Sequence, residues 1–189
     1  MMLRCMIPDY PVTLESIHCK FQNNNPVLMI GKHMGNTISH TVRNHLPTEK
    51  VEHALNLFCN PRTWPDWNRN SRTMIATKAE SLDKNDIVAL HQVIKGSIIE
   101  SRWVVQNIRA GNEFTEITLL GTGQSRNERP ISSGLEDLKI IFTFLSAKDG
   151  GIEIHATCKV SGFLKIFSAQ IKKYMEEYCN DFLVDLSNA

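Results

Sequence analysis

No stretch of this chain approaches the ~18 consecutive apolar residues that a membrane-spanning helix needs. Its opening residues, MMLRCMIPDYP, are interrupted by Pro8 and Asp9 too early for a secretory signal. The five cysteines, at 5, 19, 59, 158 and 179, contain no C-x-x-C pair, which argues against both a structural zinc site and a disulfide framework. They read as reduced, mostly buried thiols, and the chain reads as soluble and cytoplasmic. An excess of one charge is also missing. Lys and Arg total 21 against 20 Asp and Glu, for a formal net charge of +1, so no overall field favours nucleic acid or an anionic membrane. Lys165, Lys172 and Lys173 share a helical segment, but Glu176, Glu177, Asp181 and Asp185 follow, and the segment reads as a solvated face.

Motifs of known chemistry are missing as well. The histidines at 18, 33, 40, 45, 53, 91 and 155 never form H-E-x-x-H or another metal-ligand spacing with Asp or Glu. No metal and no cofactor is expected. There is no G-x-S-x-G elbow. GTGQSRNERPISSG (121–134) lacks the G-K-[ST] ending and leads into a strand, so it offers no helix N-terminus to an anion. It is predicted as a long loop at a cavity mouth, where Arg126 and Arg129 meet either solvent or an acidic head group.

What is present is a regular pattern. A hydrophobic share of 42% and a charged share of 22% suit a globular domain, and 189 residues suffice for a substantial core. Residues 1–35 stand apart as an N-terminal extension of unassigned role. There QNNNP (22–26) signals a turn between short apolar runs, a candidate hairpin. A single domain is expected over 36–189. It begins with a strand in which Ile38, His40 and Val42 alternate with polar residues. Pro47-Thr48-Glu49 opens a helix with Thr48 as N-cap, and Val51, Ala54, Leu55 and Phe58 give the i, i+3, i+4, i+7 stripe. Asn60-Pro61 ends that helix and starts a second, short one carrying Trp64 and Trp67.

Five strands are predicted over 72–80, 86–95, 98–109, 113–122 and 137–147. A sixth, over 151–160, follows the hairpin signal Asp149-Gly150-Gly151. The last two alternate cleanly. Leu138, Ile140, Phe142 and Phe144 share one face, as do Ile152, Ile154, Ala156, Cys158 and Val160. One-sided alternation indicates an antiparallel sheet covered on one face only. The cover is a predicted helix over 163–186, whose stripe includes Phe163, Leu164, Phe167, Ile171, Tyr174, Met175, Tyr178, Phe182 and Leu186. The fold class is α+β: a curved seven-stranded antiparallel sheet around a long C-terminal helix, with two short helices after the first strand. A long helix cannot touch a bent sheet everywhere, so a cavity is expected between them.

The helix followed by NPRTWPDWNRNS, the element order and the terminal amphipathic helix resemble the polyketide cyclase/dehydrase branch of the START-like, helix-grip SRPBCC superfamily. Trp64, Pro65, Trp67 and Asn68 match that family's W-P-x-W turn, and Trp103-Val104-Val105 matches its strand motif. Arg69 stands where the family often has proline. The likeness covers about residues 36–186. It implies the helix-grip fold but no shared catalytic set, because such families include lipid and sterol carriers, hormone receptors, cyclases and co-chaperone domains.

The residues expected at a ligand are Trp64, Trp67, Trp103, Phe142, Phe144, Phe167, Gln170, Ile171 and Tyr174. The acid–base candidates are His91, Gln170 and Tyr174. His91 is a cavity group of tunable pKa if it faces inward and a bonded or solvated histidine if it faces outward, and the apolar run Ile87–Leu90 leaves that parity open. Arg62, Arg69 and Arg72 around the tryptophans imitate a nucleic-acid platform. Asp66 between the aromatics and the neutral net charge oppose that, and burial of both indoles is the simpler reading. Three functions follow. The first is binding or transport of a small hydrophobic molecule such as a lipid, isoprenoid or aromatic polyketide. The others are an aromatase/cyclase or hydratase, and a protein-binding module.

Overall fold

Thr48 opens the first helix of the domain, but not as its cap. In the computed structural model, which describes residues 36–78, 80–94, 96–131 and 135–189, the cap position falls on Pro47. The Thr48 hydroxyl instead donates to the Ser146 carbonyl at 3.1 Å, 98 positions away. The predicted hairpin within residues 1–35 lies outside the described residues. Strand β1 (Asn36–His45) precedes this helix, α1 (Thr48–Cys59), which buries Val51, Ala54 and Phe58 as its stripe requires. A 3-10 turn at Pro61–Thr63 then runs into α2 (Trp64–Trp67). The Asn60 side chain accepts from the Arg62 amide at 3.2 Å, so the residue that ends α1 also anchors the next turn.

The remaining strands are β2 (Thr73–Ala76), β3 (Ile87–Ile94), β4 (Ser97–Ala110), β5 (Phe114–Arg126), β6 (Arg129–Ile131), β7 (Leu135–Leu145) and β8 (Gly151–Val160). They form one antiparallel sheet in the order β1-β8-β7-β5-β4-β3-β2, with β6 paired to β5 off that path. The seven expected strands make up the path, and β6 is an eighth. It occupies part of the predicted 123–136 loop, because β5 continues to Arg126 and turns through Asn127 (φ 46°) and Glu128 (φ 68°). Two successive left-handed residues make the tight hairpin turn that matches strand twist. Only Asn127 hints at it in the sequence.

Irregularities in the ladders and one obligatory glycine shape the sheet. Register shifts at Arg102/Trp103 and Val105/Asn107 in β4 are bulges, which add twist and curvature. At the β7–β8 hairpin, a Cβ on Gly150 would fall 1.9 Å from the Leu145 carbonyl oxygen, so only glycine fits there.

The concave face and the helix meet as the alternation requires. Ile140, Phe142, Phe144, Ile152, Ile154, Ala156, Cys158 and Val160 are all buried. The C-terminal segment is not one continuous α-helix, however. Gly162–Phe167 is 3-10, and α3 runs from Ser168 to Asn188, about 31 Å at 1.5 Å per residue. The buried stripe accordingly begins at Ile171 and continues through Met175, Tyr178, Cys179, Phe182, Leu183 and Leu186. Phe163, expected inside, is 72% exposed.

Burial of the thiols has a consequence at alkaline pH. It raises Cys158 from the ordinary 9.0 to about 11 and Cys179 to about 12. Both must stay neutral in the folded chain while the unfolded chain ionises them from pH 9.0. Their contribution is therefore complete below pH 9.0 and is lost as pH rises through the folded values. Unfolding free energy should fall above pH 9.0 by roughly 1.4 kcal/mol per pH unit per thiol. Urea titrations along a pH series will show it, with a shallower fall in Cys158→Ala/Cys179→Ala. Constant stability between pH 9 and pH 11 would contradict it.

Candidate functional site

The tryptophans are at the centre of packing. Trp64 is 3% exposed, and its indole N–H donates to the Phe58 carbonyl at 2.8 Å. Trp67 is half-buried and donates to the Thr63 hydroxyl at 3.2 Å. Phe182 on α3 lies edge-on to both rings, with centroids 5.7 and 5.2 Å away. Phe58 touches Phe142 at 4.5 Å and Phe144 at 5.6 Å. Trp64, Trp67, Phe142 and Phe144 thus form an aromatic cluster that joins α1, α2, β7 and α3. Arg69, just after α2, ties that turn to α3. Its guanidinium Nε donates to Asp185 at 2.8 Å, and its backbone N–H donates to the same carboxylate at 3.1 Å.

The gap between helix and sheet opens beyond this cluster. A cavity of about 20 Å³ is lined by Trp103, Gln124, Leu138, Ile140, Ala156, Met175 and Tyr178. That volume admits a water and little more. It shares Trp103, Gln124 and Leu138 with an outer cleft of about 150 Å³, which Ser101, Arg102, Gly121, Thr122, Gly123 and Leu135 complete. Each element contributes for a local reason. The bulge at Arg102/Trp103 aligns Trp103 with Gly121, and a Cβ on Gly121 would press to 3.2 Å from the Leu138 side chain. Gln124 belongs to the extended β5, and its amide donates to Ser101 at 3.1 Å. Tyr178 is 8% exposed, and burial pushes its hydroxyl above the ordinary value of 10.0, so it remains protonated.

Of the residues expected at a ligand, only Trp103 lines this gap. Ile171 is fully buried in the core, Phe167 is half-buried against it, Tyr174 is half-buried, and Gln170 is exposed. The helical stripe could not separate these roles, since core and cavity walls share one apolar face. Gln124, Leu138, Ala156, Met175 and Tyr178 carry no motif. Their approximate position is legible only from strand parity and helical period.

His91 faces away from the gap. Its strand neighbours Leu90 and Gln92 are buried, and alternation sends His91 to the outer face. There its Nε2 lies 2.8 Å from Glu100. Burial opposes ionisation of Glu100, but hydrogen bonds from Arg102 and His91 outweigh it and hold the carboxyl below its ordinary range. His91 and Glu100 border a wide outer groove with Ile98, Ser125, Asn127 and Glu128. It is open to water, which screens its charges. His155 also faces outward, with Nδ1 2.7 Å from the Thr41 hydroxyl. Arg126 and Arg129 are both exposed. Among the described residues, no three His, Cys, Asp or Glu side chains are grouped to hold a metal ion, and no helix is long and apolar enough to cross a membrane.

No family model matches the sequence, and no curated protein matches it. Solved structures do match. A START superfamily protein from Mycobacterium smegmatis is 14% identical, with a TM-score of 0.54 over 82% of this chain and 96% of that one. Norcoclaurine synthase from Thalictrum flavum, in complex with dopamine and hydroxybenzaldehyde, is 11% identical, with a TM-score of 0.57 over 90% and 94%. The Zhui aromatase/cyclase from Streptomyces is 10% identical, with a TM-score of 0.50 over 81% and 92%. At such identities the likeness concerns architecture. With the antiparallel sheet and long C-terminal helix described above, it shows that the chain shares the helix-grip α+β fold of these structures.

Proposed function

We propose that the gap between α3 and strands β4, β5, β7 and β8 binds a small, uncharged, mostly apolar molecule, and that the protein carries or senses it without transforming it. The supporting observation is the lining of the inner cavity: five apolar side chains with Gln124 and Tyr178 as the polar groups and no charged residue, while Arg102 stands at the outer cleft. An ion buried there without a partner would carry a heavy desolvation cost, whereas a neutral molecule with one hydroxyl or carbonyl could bond the amide or the phenol. On the same fold, norcoclaurine synthase was solved with dopamine and hydroxybenzaldehyde, so small aromatic molecules are a reasonable class. The inner cavity of about 20 Å³ is far below ligand size. Binding therefore requires Met175 and Leu138 to move apart, a motion suited to the flexible methionine.

An acid–base enzyme is less well served. Catalysis near neutrality calls for a group with a pKa close to the working pH, and Tyr178, the titratable side chain in the lining, is pushed the wrong way. Titration with the neutral fluorophore N-phenyl-1-naphthylamine tests the reading. Wild type should bind it saturably. Ala156→Phe, which fills the inner gap, and Leu138→Phe, which narrows the mouth, should each bind at least about tenfold more weakly, a loss of about 1.4 kcal/mol. Both variants must keep a cooperative melt. Equal affinity in all three proteins would remove the gap as the binding site.

A further inference from the structure

The segment joining β8 to α3 has two faces of opposite character. A 3-10 helix has three residues per turn, so side chains at i and i+3 stack on one side. Over Gly162–Phe167 this places Leu164 and Phe167 on one face and Phe163 and Ile166 on another. Leu164 and Phe167 pack on the core, while Phe163 and Ile166 are 72% and 74% exposed, more than any other large apolar side chain described. In an α-helix Phe163 and Ile166 would lie about 60° apart, and the 3-10 turn brings them into line. The 3-10 geometry gathers the outer two into an apolar tip.

Charge is segregated along this part of the sequence. Residues 154–175 contain Lys159, Lys165, Lys172 and Lys173 and no Asp or Glu, whereas residues 176–189 contain Glu176, Glu177, Asp181 and Asp185 and no Lys or Arg. Lys159 bonds Asp137 at 2.6 Å, and Glu136 accepts from Ser161, so carboxylates flank the tip on the β7 side. Lys172 and Lys173 are 57% and 67% exposed, and their i,i+4 pairs with Glu176 and Glu177 are long, at 3.9 Å. Such exposed pairs bind weakly and release their lysines readily. The tip also adjoins the cleft: Val160, two residues before Gly162, pairs with Leu135 at the cleft mouth.

We propose that the Gly162–Phe167 tip and the first turns of α3 dock this protein on an anionic lipid bilayer, with Phe163 and Ile166 entering the interface and Lys172 and Lys173 meeting its head groups. Apolar side chains beside lysines are what interfacial binding requires, because the first supply burial and the second attraction to anionic lipid. The docking does not depend on what the cleft binds.

Vesicle sedimentation of the full chain provides the test. Wild type should pellet with phosphatidylcholine vesicles in which a third of the lipid is phosphatidylserine, stay in the supernatant with pure phosphatidylcholine, and be released by high salt. Each lysine near an anionic surface is worth about fivefold in partitioning, so Lys172→Ala/Lys173→Ala should lower it about 25-fold. Phe163→Ser/Ile166→Ser should abolish binding while a cooperative melt is kept, because Ile166 faces water and Phe163 gives up only its edge contact with the Phe167 ring. Wild type remaining in the supernatant with both vesicle types would overturn the proposal. So would Phe163→Ser/Ile166→Ser pelleting as well as wild type, or a stable dimer that depends on these two residues and ignores vesicles.

Discussion

Trp64→Ala should lose about 3–5 kcal/mol of unfolding free energy, the range for removing a large aromatic side chain from a close-packed core. The indole is 3% exposed and touches Phe58, Trp67 and Phe182 at centroid distances of 4.9, 5.6 and 5.7 Å. Aromatic pairs of this kind contribute beyond their buried area. The change also frees the Phe58 carbonyl that the indole N–H occupies at 2.8 Å, leaving a buried acceptor unsatisfied. Domains of this size typically unfold at a cost of about 5–15 kcal/mol, so the loss is a large share of the total. Urea unfolding should show a lower midpoint at an unchanged slope. Trp67→Ala should cost clearly less, because that ring is half-buried and its N–H serves the neighbouring Thr63 hydroxyl. Equal losses, or a loss below about 1 kcal/mol for Trp64→Ala, would mean that the cluster does not brace the fold.

Gly150→Ala should be strongly damaging for a single methyl group. The new Cβ would meet the Leu145 oxygen at 1.9 Å and the Ala147 oxygen at 2.7 Å. Both are backbone atoms, which cannot swing aside as a side chain can. Relief requires the β7–β8 hairpin to open, and that strains the Gly150 N–H bond to Ala147 at 2.8 Å and the Leu46 N–H bond to Gly150 at 3.3 Å. Overpacking of this kind costs about 1–3 kcal/mol and occasionally more. The expected outcome is a loss at the top of that range, with faster hydrogen exchange at Leu46. An alanine tolerated there without loss would show that the hairpin has a different backbone path.

Much of this architecture is legible in residues 36–189 because the sheet is wet on one side. The alternation Leu138, Ile140, Phe142, Phe144 and its partner Ile152 to Val160 has period 2 and admits one facing, and the stripe from Ile171 to Leu186 has the helical period and needs that face. The W-P-x-W turn is similarly explicit, since Pro61 and Pro65 restrict the backbone and two indoles need burial. His91 could not be placed in this way. Ile87, Val88, Ala89 and Leu90 are apolar at both parities, so only the paired strands show that Val88 and Leu90 face the core while His91 meets Glu100.

The sequence by itself thus determined the elements and most of their buried faces, because hydrophobic period is a local property carried by each segment alone. The tertiary structure decided what periodicity cannot express. It set how far the space beneath α3 closes, which depends on how Met175, Leu138 and Trp103 fill a gap between elements distant in the chain. It gave Thr48 its partner at Ser146, and it turned Phe163 from an expected core residue into an exposed one by replacing an α-turn with a 3-10 turn. Each of these outcomes rests on contacts between segments brought together only by folding, and there the physical chemistry of any one segment no longer suffices.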